Sequence, residues 1–213
     1  MDESVVSNLP AWLNPLVDVV RVIDPNNLSA FLPPETGGRP GAVLILLGDG
    51  EAGPDVLLIE RAAAMRSHAG QPAFPGGAVD PEDVDPIAAA LREAREETLL
   101  DSSGVRVFGT LPDLWLPPSG FVVTPVLAHW HQDSPVNVGD PAEVAAVHRV
   151  PIAELVDPDN RVMVHHPSGF TSPGFQTRGM LVWGFTAGLL SRLLDASGWA
   201  REWDQTRTVT VEA

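Results

Sequence analysis

Apolar residues along this chain fall into short blocks separated by Gly- and Pro-rich breaks. From Gly41 the run AVLILL, the turn-forming stretch GDGEAGP and the run DVLLIER predict two buried strands joined by a loop. Further strands are expected at VRVFGTL, FVVTPVLAHW and EVAAVHRV, the last running into a turn or short helix at PIAEL. DVDPIAAALREAREETLL changes to the helical period, with Ile87, Ala90, Leu91, Ala94 and Thr98 on one stripe. Asp85 suits its N-cap, and Pro86 suits the first turn, where its missing N–H would have been unpaired. A second helix is expected from about Leu181 to Leu194, ended by Ser197 and Gly198. Residues 1–40, rich in Pro, Asn and Gly after a short helix near Leu13 to Val22, read as an extension packed on a main domain at 41–200, with a tail at 201–213. The elements do not alternate as in a doubly wound parallel sheet, so the expected class is α+β, with a mixed central β-sheet between helices.

Charge narrows the partners. The 213 residues carry a formal net charge of -15, and contact with phosphate backbones is driven largely by Lys and Arg neutralisation. Neither a nucleic-acid partner nor an anionic membrane is expected, and a phosphate-bearing ligand would need a metal to mediate. All thirteen basic residues are Arg, and cysteine is absent, which excludes disulfides, a thiolate nucleophile and Cys-ligated zinc. The N-terminus opens with acids rather than a basic leader, and no apolar run is long enough to span a bilayer. A soluble, cytoplasmic protein is expected.

The segment REAREE sets Glu93, Glu96 and Glu97 on an arc of about 100° of the helix flank, expected beside the buried stripe rather than inside it. Glu93 and Glu97 are a repulsive i,i+4 pair. A solvated acidic face is one reading. The other is a site for a hard divalent cation, Mg2+ or Mn2+, which takes carboxylate oxygens and water. His165 with His166, and His129 with His131, lack a third ligand at the spacing zinc sites show. FPGG at 74–77 lies upstream of the helix, where glycine lets backbone approach closely or take positive φ.

Taken together, FPGGAVDPEDVDPIAAALREAREE resembles the Nudix box of the Nudix hydrolases, with Arg92, Glu93, Ala94, Glu96 and Glu97 all matching. The interval from Gly77 to Arg92 is one residue longer than the general pattern, the early Glu has Asp83 or Glu82 as its nearest equivalent, and Leu99 replaces the usual Gly. The resemblance implies a Nudix-type α/β/α sandwich. LLIERAAAMRSHAGQPAFPGG and LPPSGFVVTPVLA further resemble the coenzyme A diphosphatase branch. That branch hydrolyses coenzyme A or acyl-CoA to 3',5'-ADP and 4'-phosphopantetheine or its acyl form, so a small-molecule diphosphate is the implied partner. Other nucleoside diphosphate derivatives, or a non-catalytic sensor role, are the rivals.

By this resemblance Glu93 and Glu97 are the principal metal ligands, Glu96 supplies a ligand or orients water, and a carbonyl near Gly77 completes the shell. Arg92 is expected to pair with a box carboxylate and hold its rotamer. The general base is open between the box and a later loop, with Glu143 as an outside candidate. Arg61, Arg66 and His68 are candidates for contact with substrate phosphates, although Arg61 reads equally as a structural ion pair. Gln71, Ser119 and Thr124 are candidate pocket residues. Phe74 and Phe121 are weighed between ligand platform and core. Oligomeric state is open, with a homodimer in view because relatives are often dimers.

Overall fold

The computed structural model describes residues 3–29, 31–63, 70–117 and 119–211. Helices α1 (Glu3–Val6), α2 (Asn14–Val22) and α3 (Pro25–Leu28) precede the hairpin of β1 (Arg39–Gly50) and β2 (Gly53–Arg61). Two short strands, β3 (Pro72–Ala73) and β4 (Gly76–Ala78), lead to α4 (Pro86–Thr98). Then come β5 (Val105–Thr110), β6 (Leu114–Leu116), β7 (Phe121–Trp130), β8 (Val144–Pro151) and α5 (Ile152–Leu155). The chain continues through β9 (Arg161–His165), β10 (Thr171–Thr177), β11 (Met180–Val182), α6 (Gly184–Ala196) and β12 (Thr208–Thr210).

Strand β1 organises a mixed eight-stranded sheet. It runs parallel to β7 from Arg39 opposite Phe121 to Gly48 opposite Trp130. Its other edge is shared: β2 pairs antiparallel near the hairpin, and β4 pairs with the first part, Gly41 opposite Ala78 and Val43 opposite Gly76. Strand β2 continues beyond the hairpin to pair with β8 and β3. The split edge brings the Gly76-Gly77 turn against the start of β1.

Side chains of β1 alternate between two cores, so both of its faces are buried, as a near-continuous apolar run requires. Ala42, Leu44 and Leu46 pack under α4 with Ala89, Ala90 and Ala94, small residues that let helix and sheet approach closely. Ile45 and Leu47 face the other way, toward Leu16 and Val17 of α2 and Leu189 and Leu190 of α6. Helices therefore cover both faces, as expected of the α+β class. The N-terminal segment is part of this packing: Leu13 and Leu16 are buried, and Trp12 Nε1 donates to Asp49 Oδ1 at 2.8 Å.

A second sheet, of four strands in the order β11-β10-β9-β12, was not anticipated. It shifts the start of the last helix. Met180–Val182 pairs with β10 as a strand, so α6 begins at Gly184 rather than near Leu181. Its expected end holds, with Ser197 as C-cap and Gly198 at φ 73°. Among the described residues no helix is long and apolar enough to cross a membrane.

Candidate active site

Helix α4 starts as its sequence prescribes: Asp85 accepts a hydrogen bond from Ala88 N at 2.8 Å, and Pro86 follows. At its other end Leu99 takes the left-handed conformation usually given to glycine, at φ 58°, so the exit turn survives the substitution. The free carbonyls of Glu97 and Thr98 accept from Gly139 N and Asn137 N, both at 2.9 Å. That contact drapes the β7–β8 loop over the helix end and carries Glu143, which follows on the same loop, toward the helix.

The position of Glu97 corrects the sequence reading. It lies inside the buried stripe, 3% exposed, not on the solvent side of it. Its Oε2 accepts from Gly76 N at 2.9 Å. Gly76 is needed there: its φ is 156°, and a β-carbon on it would stand 2.3 Å from Ala42 O. At Gly77 a β-carbon would fall 2.5 Å from Glu93 Oε1, so the missing side chain is the space the Glu93 carboxylate fills. Burial pushes the Glu97 carboxyl up to about 8; the Gly76 N–H opposes the shift, and the charge of Glu93 adds to it. Glu93 is raised for the same first reason, with Arg92 acting against it.

Arg92 ties the acids together. It donates to Asp83 at 3.0 and 3.1 Å, to Glu93 Oε1 at 3.0 Å, to Glu96 Oε2 at 3.1 Å and to Ala78 O at 3.0 Å. Between the two equivalents of the early box acid, the geometry selects Asp83, whose carboxyl the Arg92 guanidinium holds below the usual range. Glu96 is exposed and meets the cluster through Arg92. Glu143 belongs to the same electrostatic neighbourhood, since its charge raises both Glu93 and Glu97.

The other candidates divide. Arg61 ends β2 with its Nε buried and without a partner among the described residues, and its charge favours ionised Glu97. Gln71 lies next to it, its carbonyl accepting from Arg61 N at 3.1 Å. Arg66 and His68 lie outside the described residues. Phe74 is 2% exposed within the core, with no face left for a ligand. Thr124 stands one strand further out, opposite Ala42, and donates to Asp113 Oδ1 at 2.6 Å. Ser119 donates to Leu116 O in the turn before β7, so neither hydroxyl joins the glutamates.

Among the described residues no three acidic or imidazole groups converge tightly enough to enclose a metal ion. The residues nonetheless fit a hard divalent cation. Two carboxylates approach one another, one is buried with its pKa raised, and the glycine turn leaves a cradle beside them.

Comparisons with known proteins place the chain among relatives. The family model described as NUDIX domain matches residues 38–168. The Nudix hydrolase NudL of Cronobacter sakazakii is 44% identical over 147 residues, covering 66% of this chain and 73% of that protein. NudL of an Enterobacter species is 41% identical over 162 residues, 73% and 81% of the two chains. In fold, the chain is similar to a Nudix hydrolase from M. smegmatis, RenU, with a TM-score of 0.54 at 20% identity over 80% of this chain and 92% of that one.

Proposed function

This chain belongs to the Nudix family and is a hydrolase of pyrophosphate bonds; from that premise we propose that its substrate is coenzyme A or an acyl-CoA. Cleavage of the diphosphate would give 3',5'-ADP and 4'-phosphopantetheine or its acyl form. The observation that carries the reading is the segment from Arg61 to Gly77, whose sequence is similar to the coenzyme A diphosphatase branch. Within it Gly70 N donates to Arg61 O at 2.9 Å and Arg61 N to Gln71 O at 3.1 Å. Its far end is the turn on which Glu93 and Glu97 rest.

Nudix hydrolases generally need divalent cations, and here Glu93 and Glu97, with Glu96 and the Gly77 carbonyl, would hold Mg2+ or Mn2+. When bound, such an ion neutralises diphosphate charge and makes water more acidic. The protein's own residues do the rest. The Gly76 N–H holds Glu97 in one rotamer, and Arg92 fixes Glu93 and Glu96. Arg61, whose guanidinium has no hydrogen-bonded acceptor among the described residues, would meet the diphosphate. Water attacks phosphorus, the bridging P–O bond breaks, and the proton passes to a carboxylate of this cluster, with Glu143 beside the box glutamates as the acceptor from outside the helix.

The test is product identification by mass spectrometry after incubation with coenzyme A and Mg2+ or Mn2+. Formation of 3',5'-ADP with 4'-phosphopantetheine is expected. Intact coenzyme A alongside rapid cleavage of ADP-ribose or a dinucleotide would overturn the substrate assignment.

A further inference from the structure

Two arginines near the active-site turn have guanidinium groups with no hydrogen-bonded acceptor among the described residues: Arg61 at the end of β2, whose charge acts on Glu97, and Arg39 at the start of β1. In a chain with 28 acids and 13 arginines such freedom is uncommon, and among the described residues it is shared by Arg95 and Arg201, both exposed. Arg92, Arg149 and Arg178 all hold carboxylates, and Arg106, Arg192 and Arg207 hold carbonyl oxygens.

Arg39 is not loose. Its backbone N–H donates to Gly120 O at 2.8 Å, and its guanidinium carbon lies 4.6 Å from the centroid of the Phe121 ring, the residue opposite it in the parallel ladder. The guanidinium rests against the Phe121 ring while the residue stays exposed. Phe121 in turn borders the active-site turn. Around the point where a β-carbon on Gly41 would stand, the Phe121 ring lies at 2.9 Å and Gly77 O at 3.0 Å. Across the sheet, β4 with Gly77 and β7 with Phe121 lie on either side of β1, which carries Arg39 two residues before Gly41.

We propose that Arg39, resting on Phe121, binds a phosphate on the ribose of the substrate's nucleotide, set apart from the diphosphate that is cleaved. The proposal rests on the coenzyme A reading and deepens it, because the adenosine of coenzyme A carries such a phosphate at its 3' position. A planar guanidinium fork matches phosphate oxygens two at a time, and one already resting on a ring loses less freedom on binding. Without a dedicated cation, a further phosphate brought beside Glu93, Glu97 and Glu143 would be repelled. Arg39 thus separates substrates that carry a ribose phosphate from those that do not.

Calorimetric titration of the full chain with 3',5'-ADP and with 5'-AMP, which differ by that one phosphate, tests the assignment. Wild type is expected to prefer 3',5'-ADP by about tenfold or more, the worth of one charge-assisted contact. Arg39→Ala should bring the preference close to unity, and Phe121→Leu, which keeps the charge and removes its platform, should lose part of it. Melting temperatures of both variants confirm folding. A wild type without preference, or an Arg39→Ala protein that keeps it, overturns the proposal. Hydrolysis of coenzyme A is scored separately: an enzyme inert on it that still prefers 3',5'-ADP overturns the substrate reading and leaves Arg39 in its role.

Discussion

Glu97 and Arg161 are 3% and 1% exposed, and among the described residues neither is hydrogen-bonded to a group of opposite charge. Their surroundings differ in kind. Glu97 lies where β4 meets β1, against a backbone N–H, with a second carboxylate close by and glycines keeping the space open. Arg161, on β9, lies between the rings of Phe175 and Trp203, at 4.6 and 4.7 Å from their centroids, and donates Nη2 to Ser191 Oγ at 2.8 Å. Its Nε and Nη1 have no partner among the described residues. Burial pushes Glu97 up to about 8, into the range where it titrates, and lowers Arg161 from a value so high that the guanidinium stays charged. A buried charge alone therefore does not mark a site. On the proposed reading Glu97 is left for a cation to complete, whereas Arg161 is closed into packing by aromatic faces.

The largest expected effect separates the two. Glu97→Gln keeps an oxygen to accept the Gly76 N–H and removes the charge, so turnover should fall about a thousandfold or more while the metal-free protein melts no lower than wild type. Parallel loss of activity and melting temperature would place Glu97 with Arg161, as a residue of the fold. Arg161→Ala should instead cost roughly 3 kcal/mol through lost packing between the two rings. Arg161→Met fills the slot without a charge and should stay within about 1 kcal/mol of wild type. Urea denaturation reads both. An Arg161→Met protein as unstable as Arg161→Ala would show that the charge, not the packing, holds the second sheet.

Proton linkage sharpens the contrast without mutation. The folded-state pKa of Glu97 is raised above its usual 4.5 to about 8, so folding takes up a proton between those values. Its contribution is full below about pH 4.5, shrinks as pH rises and is gone above about pH 8. The chelated protein should lose stability by a few kcal/mol across that window, and Glu97→Gln should flatten the profile. Added Mg2+ should stabilise most at the alkaline end, where the carboxylate is already ionised. Equal stabilisation by Mg2+ at pH 5 and pH 8 would contradict a role for Glu97 as ligand.

Much of this was legible in the sequence because its signals are local. The Asp85-Pro86 start and the alanine stripe define α4, and the apolar runs after Gly41 define the hairpin of β1 and β2. Glu97 was misjudged by residue type: seven positions after Ala90 and three after Ala94, it shares their face at about 100° per residue, and only its charge argued for solvent. The second sheet had no such signal. Strand β10 contains Pro173 and Gly174, which break a strand pattern, and β12 is three residues long. The start of α6 was misplaced because MLVWGF is apolar throughout, and period does not separate strand from helix in a short run. Arg161 and Arg39 could not be read at all. Their partners, Phe175, Ser191 and Trp203 for one and Phe121 for the other, are brought together only by register and packing.

The smallest effect concerns how the helix end that holds Glu97 is made. Leu99 sits two residues beyond it at φ 58°, a conformation in which a β-carbon is strained, and its side chain is 57% exposed, so little burial offsets that strain. Its backbone N–H donates to Arg95 O at 3.0 Å, an arrangement glycine keeps. Leu99→Gly relieves the strain and adds freedom to the unfolded chain, two opposing effects that should leave a net gain of roughly 0.5–1 kcal/mol. Leu99→Ala keeps the β-carbon and should show no such gain. If alanine stabilised as much as glycine, the cost at this position would lie in exposing an apolar side chain rather than in the backbone. The exit turn would then be unstrained, and the frame around Glu97 would rest only on the Asn137 and Gly139 hydrogen bonds that cap its carbonyls.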